Sequence, residues 1–218
     1  ARLALAPLAA LALLAPEARA DDFDEPGSLS DQVSVLAFDK EVLAVDARTG
    51  APIGQRLRLN EDALRIHSQG LLAVVETQIR LFGFSARTRN WSEKALRLNE
   101  SAPLDVRTSD RLALVVTDKQ VHLFDGRTGV WTSGNIPPNE TVLRAGVGLN
   151  VAAAVTKYRA MAYSAVTGGF FVQSLFKAQP SPELAVGDNT VTVVDTGRIL
   201  TFVSGANRWA STSRIRLD

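Results

Sequence analysis

Two apolar segments separated by a short polar turn recur along the chain at a nearly constant spacing. The first segment of each pair reads VSVLAF, LLAVVE, LALVVT, VAAAVT and TVTVVD, and the second reads EVLAVD, QIRLFGFS, QVHLFD, RAMAYS and RILTFVS. They are rich in Val, Leu, Ile, Phe and Thr, as β-strands are. Beyond the N-terminal segment, no stretch sustains the i, i+3, i+4, i+7 apolar spacing of a helix. The pattern predicts a β-rich chain with almost no helix.

A short turn motif follows the second segment of each pair. Its five copies are Asp46–Gly50, Ser85–Arg89, Asp125–Gly129, Ser164–Gly168 and Ser204–Arg208, whose first residues lie 39, 40, 39 and 40 apart. An Asp or Ser side chain can hydrogen-bond the backbone two residues on, and Gly can take a positive φ, so the motif predicts a hairpin turn. Because Arg89 and Arg208 replace the glycine, we expect those two turns to be altered. An aromatic residue follows four copies: Trp91, Trp131, Phe170 and Trp209.

Each module continues into a third strand, then a turn opened by an Asn-Glu pair in three copies, then a weaker fourth strand. A four-stranded unit with a period of about forty residues is typical of a propeller blade. We therefore predict that residues 31–218 form an all-β fold, a β-propeller of about five four-stranded blades with the aromatics packed between sheets. A two-sheet sandwich is the competing fold. Leu217 and Asp218 fall at a module boundary, so both a five-bladed ring and part of a larger propeller stay open.

The repeat resembles that of the pyrroloquinoline-quinone-like (PQQ-like) propeller family. The resemblance is carried by an apolar strand, an Asp-x-x-Thr-Gly turn and a following aromatic, best matched by Asp46–Gly50 and by Asp125–Gly129 with Trp131. Enzymatic members of that family have eight blades, a bound quinone and calcium. The chain has five modules and no visible counterpart of their catalytic residues. The resemblance therefore implies a non-enzymatic member, similar to the extracytoplasmic scaffold propellers.

The N-terminal segment has the order of a secretory signal peptide. Arg2 precedes an apolar run over residues 3–15, and Ala18-Arg19-Ala20 matches an A-x-A cleavage site. Residues 1–20 are thus predicted to be a signal peptide, and residues 21–30 an acidic, turn-rich linker. The run is too short for a stable membrane span. We expect a periplasmic or secreted mature protein without stable membrane insertion.

Composition narrows the chemistry that the chain can carry. There is no cysteine, and His67 and His122 are the only histidines, which excludes thiolate or histidine-rich metal sites. The net charge is +1, without the basic excess typical of nucleic-acid binders. The sequence predicts no catalytic residues, no metal, no cofactor and no nucleic-acid partner.

Several carboxylates are candidates for functions other than protein binding. Asp62, Asp105 and Glu183 are placed near the starts of innermost strands, where a propeller-type glycan hydrolase or lyase would carry its acids. Four further acids are placed in the turns between the two apolar segments of each pair, where a weak cation site is an alternative to ordinary turn chemistry: Asp39, Glu76, Asp118 and Asp195. A ligand-binding sensor domain is a further alternative.

The preferred function is a scaffold that binds a protein partner in an envelope or extracellular complex. Loops held by a rigid scaffold are common binding sites. The turn centred on Lys157, Tyr158 and Arg159 is the predicted contact, since Arg and Tyr are favoured interface anchors. A second predicted surface is a basic flank on the last strand of a module, represented by Arg58 and Arg97, with edge protection as the simpler explanation. Arg56, Arg214 and Arg216 belong to the same pattern.

Overall fold

Nineteen β-strands make up the regular structure of this protein in a computed structural model that describes residues 32–175 and 182–213. The strands of the first two sheets are β1 (Val33–Phe38), β2 (Glu41–Asp46), β3 (Pro52–Arg56), β4 (Arg65–Gln69), β5 (Leu72–Glu76), β6 (Arg80–Ser85) and β7 (Asn90–Ala95). The third and fourth sheets contain β8 (Asp105–Thr108), β9 (Leu112–Val116), β10 (Gln120–Asp125), β11 (Val130–Asn135), β12 (Val142–Val147), β13 (Val151–Thr156), β14 (Arg159–Ser164) and β15 (Gly169–Ser174). The fifth sheet contains β16 (Glu183–Val186), β17 (Thr190–Asp195), β18 (Arg198–Val203) and β19 (Ala210–Ser213). The segments predicted to be a signal peptide and a linker, and Arg214 and Arg216, lie outside the described residues.

Each sheet is an antiparallel meander whose strands follow chain order, and consecutive sheets pack face to face. This is the all-β propeller architecture predicted from the repeat, with five blades. In the part of the chain that the structure describes, however, the first sheet has three strands where the other four sheets have four. The weaker strand at the end of each module pairs with the strand that follows it in the chain, as β4 pairs with β5, so it is the first strand of the next sheet. The first sheet therefore begins at the strand equivalent to β5.

The core lies between consecutive sheets. In the second, third and fourth sheets the two middle strands are buried along their length, apart from the partly exposed Arg159 at the start of β14. We call the face of a sheet that contacts the preceding sheet its backward face, and the face that contacts the following sheet its forward face. Each interface therefore joins the backward face of one sheet to the forward face of the sheet before it. Phe82 and Phe84 on the backward face of the second sheet pack with Val42 and Ala44 on the forward face of the first. Burial on both faces explains the near-continuous apolar segments in the sequence.

The repeated tryptophans pack between sheets and also donate hydrogen bonds to the preceding sheet. The Trp91 ring is 7% exposed, and its centroid lies 5.2 Å from that of Phe84. Its Nε1–H donates to the Ile53 carbonyl at 2.8 Å. Trp131 and Trp209 donate in the same way to the preceding outermost strand, at 3.1 and 3.0 Å. The predicted packing of these aromatics between sheets is thus observed, and each tryptophan also forms a hydrogen bond to the preceding sheet.

The Asp/Ser position of the turn motif also reaches the next sheet. Where the residue is Ser, as at Ser85, its hydroxyl donates to the backbone carbonyl of Gly126 in the next sheet. Where it is Asp, as at Asp46, the carboxylate holds Arg48 at 3.0 Å, and Arg48 Nη2 donates to the Ala86 carbonyl at 2.7 Å. The motif therefore ties blades together as well as turning the chain.

Two expectations about this motif were wrong. The turn at Arg89 is not altered: Arg89 takes φ 53°, and its N–H donates to the Ser85 carbonyl at 2.8 Å, as Gly129 does to Asp125 at 2.7 Å. In the fifth copy the register is shifted by one residue. Ser204 accepts from Ser164 as Gly126 accepts from Ser85, so Val203 occupies the Asp/Ser position. Trp209 is then six residues on, as Trp131 is from Asp125.

Candidate partner-binding rim

The loops that join consecutive sheets lie at the same end of the molecule as the turns between each sheet's two middle strands. In an antiparallel meander the second and fourth strands of a sheet run in the same direction. The turn after the second strand and the loop after the fourth strand therefore lie at the same end. We call this end the connector rim, formed by residues 57–64, 77–79, 96–104, 117–119, 136–141 and 157–158. The motif turns lie at the opposite end, which we call the opposite rim.

A four-residue turn recurs in the connector rim. The N–H of Glu61 donates to the Arg58 carbonyl at 3.1 Å, and that of Glu100 donates to the Arg97 carbonyl at 2.9 Å. The third residue has a positive φ in each copy, 62° at Asn60, 63° at Asn99 and 69° at Asn139. Type II turns need this conformation at the third position and favour Pro at the second, which is Pro138 in the last copy. The Asn-Glu pairs noticed in the sequence are thus the ends of these turns.

The glutamate of each turn is anchored in the structure. Glu61 is 1% exposed; it accepts from the Arg58 backbone N–H at 2.8 Å and from the Thr77 hydroxyl at 2.7 Å. Arg80 completes the set with an ion pair to Glu61 at 2.6 Å. Burial would raise the pKa of Glu61, but these hydrogen bonds outweigh it and lower the pKa to about 2. The turn is therefore held by a buried anion.

The next two turns anchor their glutamates in the same way, with a different side chain in the place of Arg80. Thr117 and Thr156 donate to Glu100 and Glu140 at 2.6 and 2.5 Å. His122 Nε2 lies 2.8 Å from Glu100 Oε1, and His122 Nδ1 lies 2.9 Å from the Ser133 hydroxyl. Burial lowers the pKa of His122 despite the neighbouring carboxylate, so the ring is neutral and donates from Nε2.

In the third turn the partner of the glutamate is Arg159, one of the predicted contact residues. Its Nη2 lies 2.9 Å from Glu140 Oε1, and its Nε is buried without a hydrogen-bond partner. Arg159 therefore supports the turn that ends at Glu140. Its neighbours face solvent: Tyr158 is 46% exposed, and Lys157 Nζ lies 5.4 Å from the centroid of its ring.

Arg58 and Arg97 do not lie on an outer strand flank as the alternation suggested. The strands end at Arg56 and Ala95, and both arginines are exposed first residues of the connector turns. Both lie at the same rim as Tyr158. A cleft of about 580 Å³ is lined by Arg97 and Arg159 together. The two surfaces that the sequence separated thus lie at one end of the molecule.

Exposed apolar side chains concentrate on this rim, and the sequence analysis missed them. The second residue of the connector turn is Leu59 or Leu98 in the first two copies, exposed by 82% and 91%. The further exposed apolar residues here are Leu64 (49%), Ile79 (47%) and Leu104 (66%). Each leucine tip is carried by a turn whose buried glutamate holds the backbone. The rim thus presents apolar tips and charged groups on a fixed frame.

The three acids predicted near the starts of innermost strands are each either bound by a nearby polar group or exposed. Asp105 pairs with Arg107 at 3.0 Å, Asp62 accepts from Gln78 at 3.3 Å, and Glu183 is exposed at the start of β16. A hydrogen bond from the Ser101 backbone leads the causes that lower the pKa of Asp118. Hydrogen bonds and neighbouring cations lower the pKa of Asp46, Glu61, Glu100 and Asp118, which favours the ionised form of these carboxyls over the proton-donating form.

The four predicted turn acids do not gather as a cation site. Asp39 and Asp118 lie in exposed turns. Glu76 is instead buried at the end of β5 and contacts His67 Nε2 at 2.7 Å, and Asp195 pairs with Arg198 at 2.7 Å. Within residues 32–175 and 182–213 there is no group of three or more His, Asp or Glu side chains arranged to hold a metal ion. The same ranges contain no helix with the length and hydropathy to cross a membrane.

No family model and no curated protein matches the sequence. Among solved structures, the chain is similar to the computationally designed Ika8 protein, at 16% identity with a TM-score of 0.42, covering 84% of this chain and 58% of that one. It is also similar to two β-propeller proteins: the N-terminal domain of Nup159 (9% identity, TM-score 0.37, covering 85% and 59%) and Kluyveromyces lactis Hsv2 (8%, 0.37, covering 85% and 61%). The chain spans about 60% of the length of these proteins. The assignment to the propeller class rests on the chain's own topology and packing.

Proposed function

We propose that this protein is an exported, non-enzymatic β-propeller of the PQQ-like kind that acts as a protein-interaction scaffold, with the connector rim as its docking surface. The observation that carries the proposal is the combination of exposed Leu59 and Leu98 with exposed Tyr158 on turns fixed by buried glutamates. Preordered apolar and aromatic anchors lose little conformational entropy when a partner binds. The Asp-x-x-Thr-Gly turns and the following tryptophans support the PQQ-like assignment.

The charges on the rim favour a protein partner over a uniformly charged polymer. Asp62 and Asp118 are exposed on the rim together with Lys157, so the rim carries charges of both signs. Mixed charges around apolar anchors are typical of protein interfaces, in which a polar edge surrounds a desolvated centre. The signal-peptide pattern of residues 1–20 supports a partner in the periplasm or outside the cell.

Affinity capture with matched variants tests the proposal. Immobilised wild-type protein is compared with a Leu98→Asp, Tyr158→Ala variant and with a Val166→Asp variant. Val166 is 62% exposed on the opposite rim, so it controls for a charge at an exposed apolar position. We expect one envelope protein to be captured by the wild type and the Val166 variant and lost by the connector-rim variant. Equal capture by all three proteins, or loss of capture only with Val166→Asp, would refute the proposal that the connector rim is the docking surface.

Arg159 is unsuitable for this test because it pairs with Glu140. Removing it would leave a buried carboxylate without its cation and weaken the turn itself. A loss of binding would then have two explanations, whereas Tyr158→Ala removes a half-exposed ring and leaves the Glu140 ion pair in place.

A second candidate function is ligand binding, favoured by one cleft. A cleft of about 300 Å³ lies between the innermost strands of the third and fourth sheets. Its lining combines the Asp105–Arg107 ion pair with Arg144 and the apolar Leu104 and Leu143. Opposite charges beside apolar walls suit a small zwitterionic ligand. Thermal shifts against amino acids and short peptides test this candidate: a shift that Arg144→Ala abolishes supports it, and no shift excludes it.

A further inference from the structure

Among residues 32–175 and 182–213, the two terminal sheets each leave one face uncovered. In β2 and β17 every second residue is buried, whereas β5, β9 and β13 are buried on both faces. Strand pairing places most of the open residues of β1 and β2 on one face of the first sheet, its backward face: Ser34, Leu36, Phe38, Glu41, Leu43 and Val45. The forward face of the fifth sheet is open in the same way: Thr190, Thr192, Val194, Ile199, Thr201 and Val203.

These faces are the two unpaired halves of the contact that repeats four times inside the molecule. Every internal interface joins a backward face to the forward face of the preceding sheet; for example, Met161 and Tyr163 pack with Leu112 and Leu114. The open backward face has bulky apolar residues, with Leu36 54% and Phe38 55% exposed. The open forward face has smaller, mostly β-branched residues. Within the described ranges, the first and fifth sheets do not pack together as consecutive sheets do.

We propose that the backward face of the first sheet docks onto the forward face of the fifth sheet of a second copy of this chain. Continuity with the internal interfaces fixes the polarity of the contact: backward on forward, as between blades. The contact is heterologous, so association closes into a ring or extends further, depending on the angle between copies. A terminal repeat that stayed free would normally carry a polar outer face, which Leu36, Phe38 and Leu43 do not provide.

At three positions the terminal sheets lack a polar side chain that the internal sheets have, and this makes the contact between copies weaker than the internal contacts. Pro52 occupies the position of Trp91, so the first sheet has no indole N–H to donate backward. Val203 occupies the Asp/Ser position, so the fifth sheet has no such side chain to reach forward. Phe38 occupies the position of Thr77, whose hydroxyl binds Glu61 in the second sheet. The contact between copies is therefore mainly apolar and reversible.

The test uses two single-face variants of the full chain, Phe38→Asp and Val203→Asp, in sedimentation and light-scattering measurements over a wide concentration range. We expect the wild type to associate as concentration rises and each variant alone to stay monomeric. Mixing the two variants should restore a one-to-one dimer, because each retains one intact face. Leu36→Asp and Thr190→Asp form a second pair in case a first variant does not fold, as judged by its circular dichroism.

Each other outcome overturns the proposal. A wild type that stays monomeric shows that the faces do not pair between copies. Association that persists in both single-face variants comes from another part of the chain. Association lost in only one of the two variants shows an isologous contact through the face changed in that variant. Two monomeric variants that do not combine on mixing show that the two faces do not complement each other. Val166→Asp, on the opposite rim, should associate as the wild type does.

Discussion

Trp91 and Ile53 join the second sheet to the first through a hydrogen bond that spans 38 residues of sequence, with the indole Nε1–H donating to the Ile53 carbonyl at 2.8 Å. The same ring packs on Phe84 and is 7% exposed. One side chain thus fills the space between blades and fixes their relative position. The connector rim depends on this rigidity, because its turns belong to different blades.

Replacing this tryptophan should be costly. We expect Trp91→Ala to lower the free energy of unfolding by about 3–5 kcal/mol, because a large buried ring is lost. Trp91→Phe keeps much of the ring and loses the hydrogen bond, so it should cost less, about 1 kcal/mol beyond its packing loss. Urea denaturation of the two variants measures this. A Trp91→Ala loss below about 1 kcal/mol would show that the ring does not hold the blades together.

The unusual backbone at Arg89 predicts a stabilising substitution. Arg89 has φ 53° in a turn where other copies have glycine, such as Gly129 at 71°. A non-glycine residue in the left-handed region costs about 1–2 kcal/mol. Arg89→Gly should therefore raise the free energy of unfolding by about 1 kcal/mol after the greater freedom of glycine in the unfolded chain is counted. Gly129→Ala should lower it, and a destabilised Arg89→Gly would mean that the arginine side chain outweighs the strain.

Glu61 predicts how stability changes in acid. Its folded-state pKa of about 2 lies below the usual 4.5, so ionised Glu61 stabilises the fold at pH values above 4.5. That contribution, roughly 3 kcal/mol at most, is lost as the pH falls from 4.5 toward 2.

Denaturation at a series of pH values measures the effect of Glu61. Between pH 4.5 and 2, the stability of wild type should fall more steeply than that of Glu61→Gln. Glu93→Gln is the matched control, because Glu93 also contacts Arg80 but is half exposed. Parallel curves for wild type and Glu61→Gln would show that the buried ion pair is not the source of the acid sensitivity.

Export predicts a defined N-terminus. If residues 1–20 are a cleaved signal peptide, mass spectrometry of the mature protein should find an N-terminus at Asp21. Ala20→Leu should block cleavage, since the site requires a small residue there. Protein that retains the whole N-terminal segment in the cytoplasmic fraction would contradict the prediction.

The repeat could be predicted from the sequence because packing between sheets requires the same residue types at the same positions of each module. Strands buried on both faces, such as β9 and β13, need continuous apolar runs, and the motif turns need Asp or Ser at a fixed place. The fifth copy was misread by one residue because Ser204 follows Val203 and mimics the motif. Arg89 was misread because the turn tolerates the strain of a non-glycine residue.

The rim was harder to predict, for physical reasons. The Leu-Arg-Leu alternation continues past the end of β7, and the sequence does not show that Asn99 takes a positive φ and turns the chain. The anchor of each turn comes from a residue distant in sequence and different in each blade, as Arg80 for Glu61 and His122 for Glu100. The repeated Asn-Glu pair followed by a Thr 16 or 17 residues later was the one available signal.

Site-specific photo-crosslinking in the producing cells tests the docking surface most directly. A photoreactive amino acid is placed at Leu98 or Tyr158 on the connector rim, and at Val166 on the opposite rim as a control whose exposure lies between theirs. We predict that positions 98 and 158 form an adduct with the same partner protein, and that position 166 does not. An adduct from position 166 alone, or none from either connector-rim position while the partner still co-purifies, would contradict the assignment of the connector rim as the docking surface.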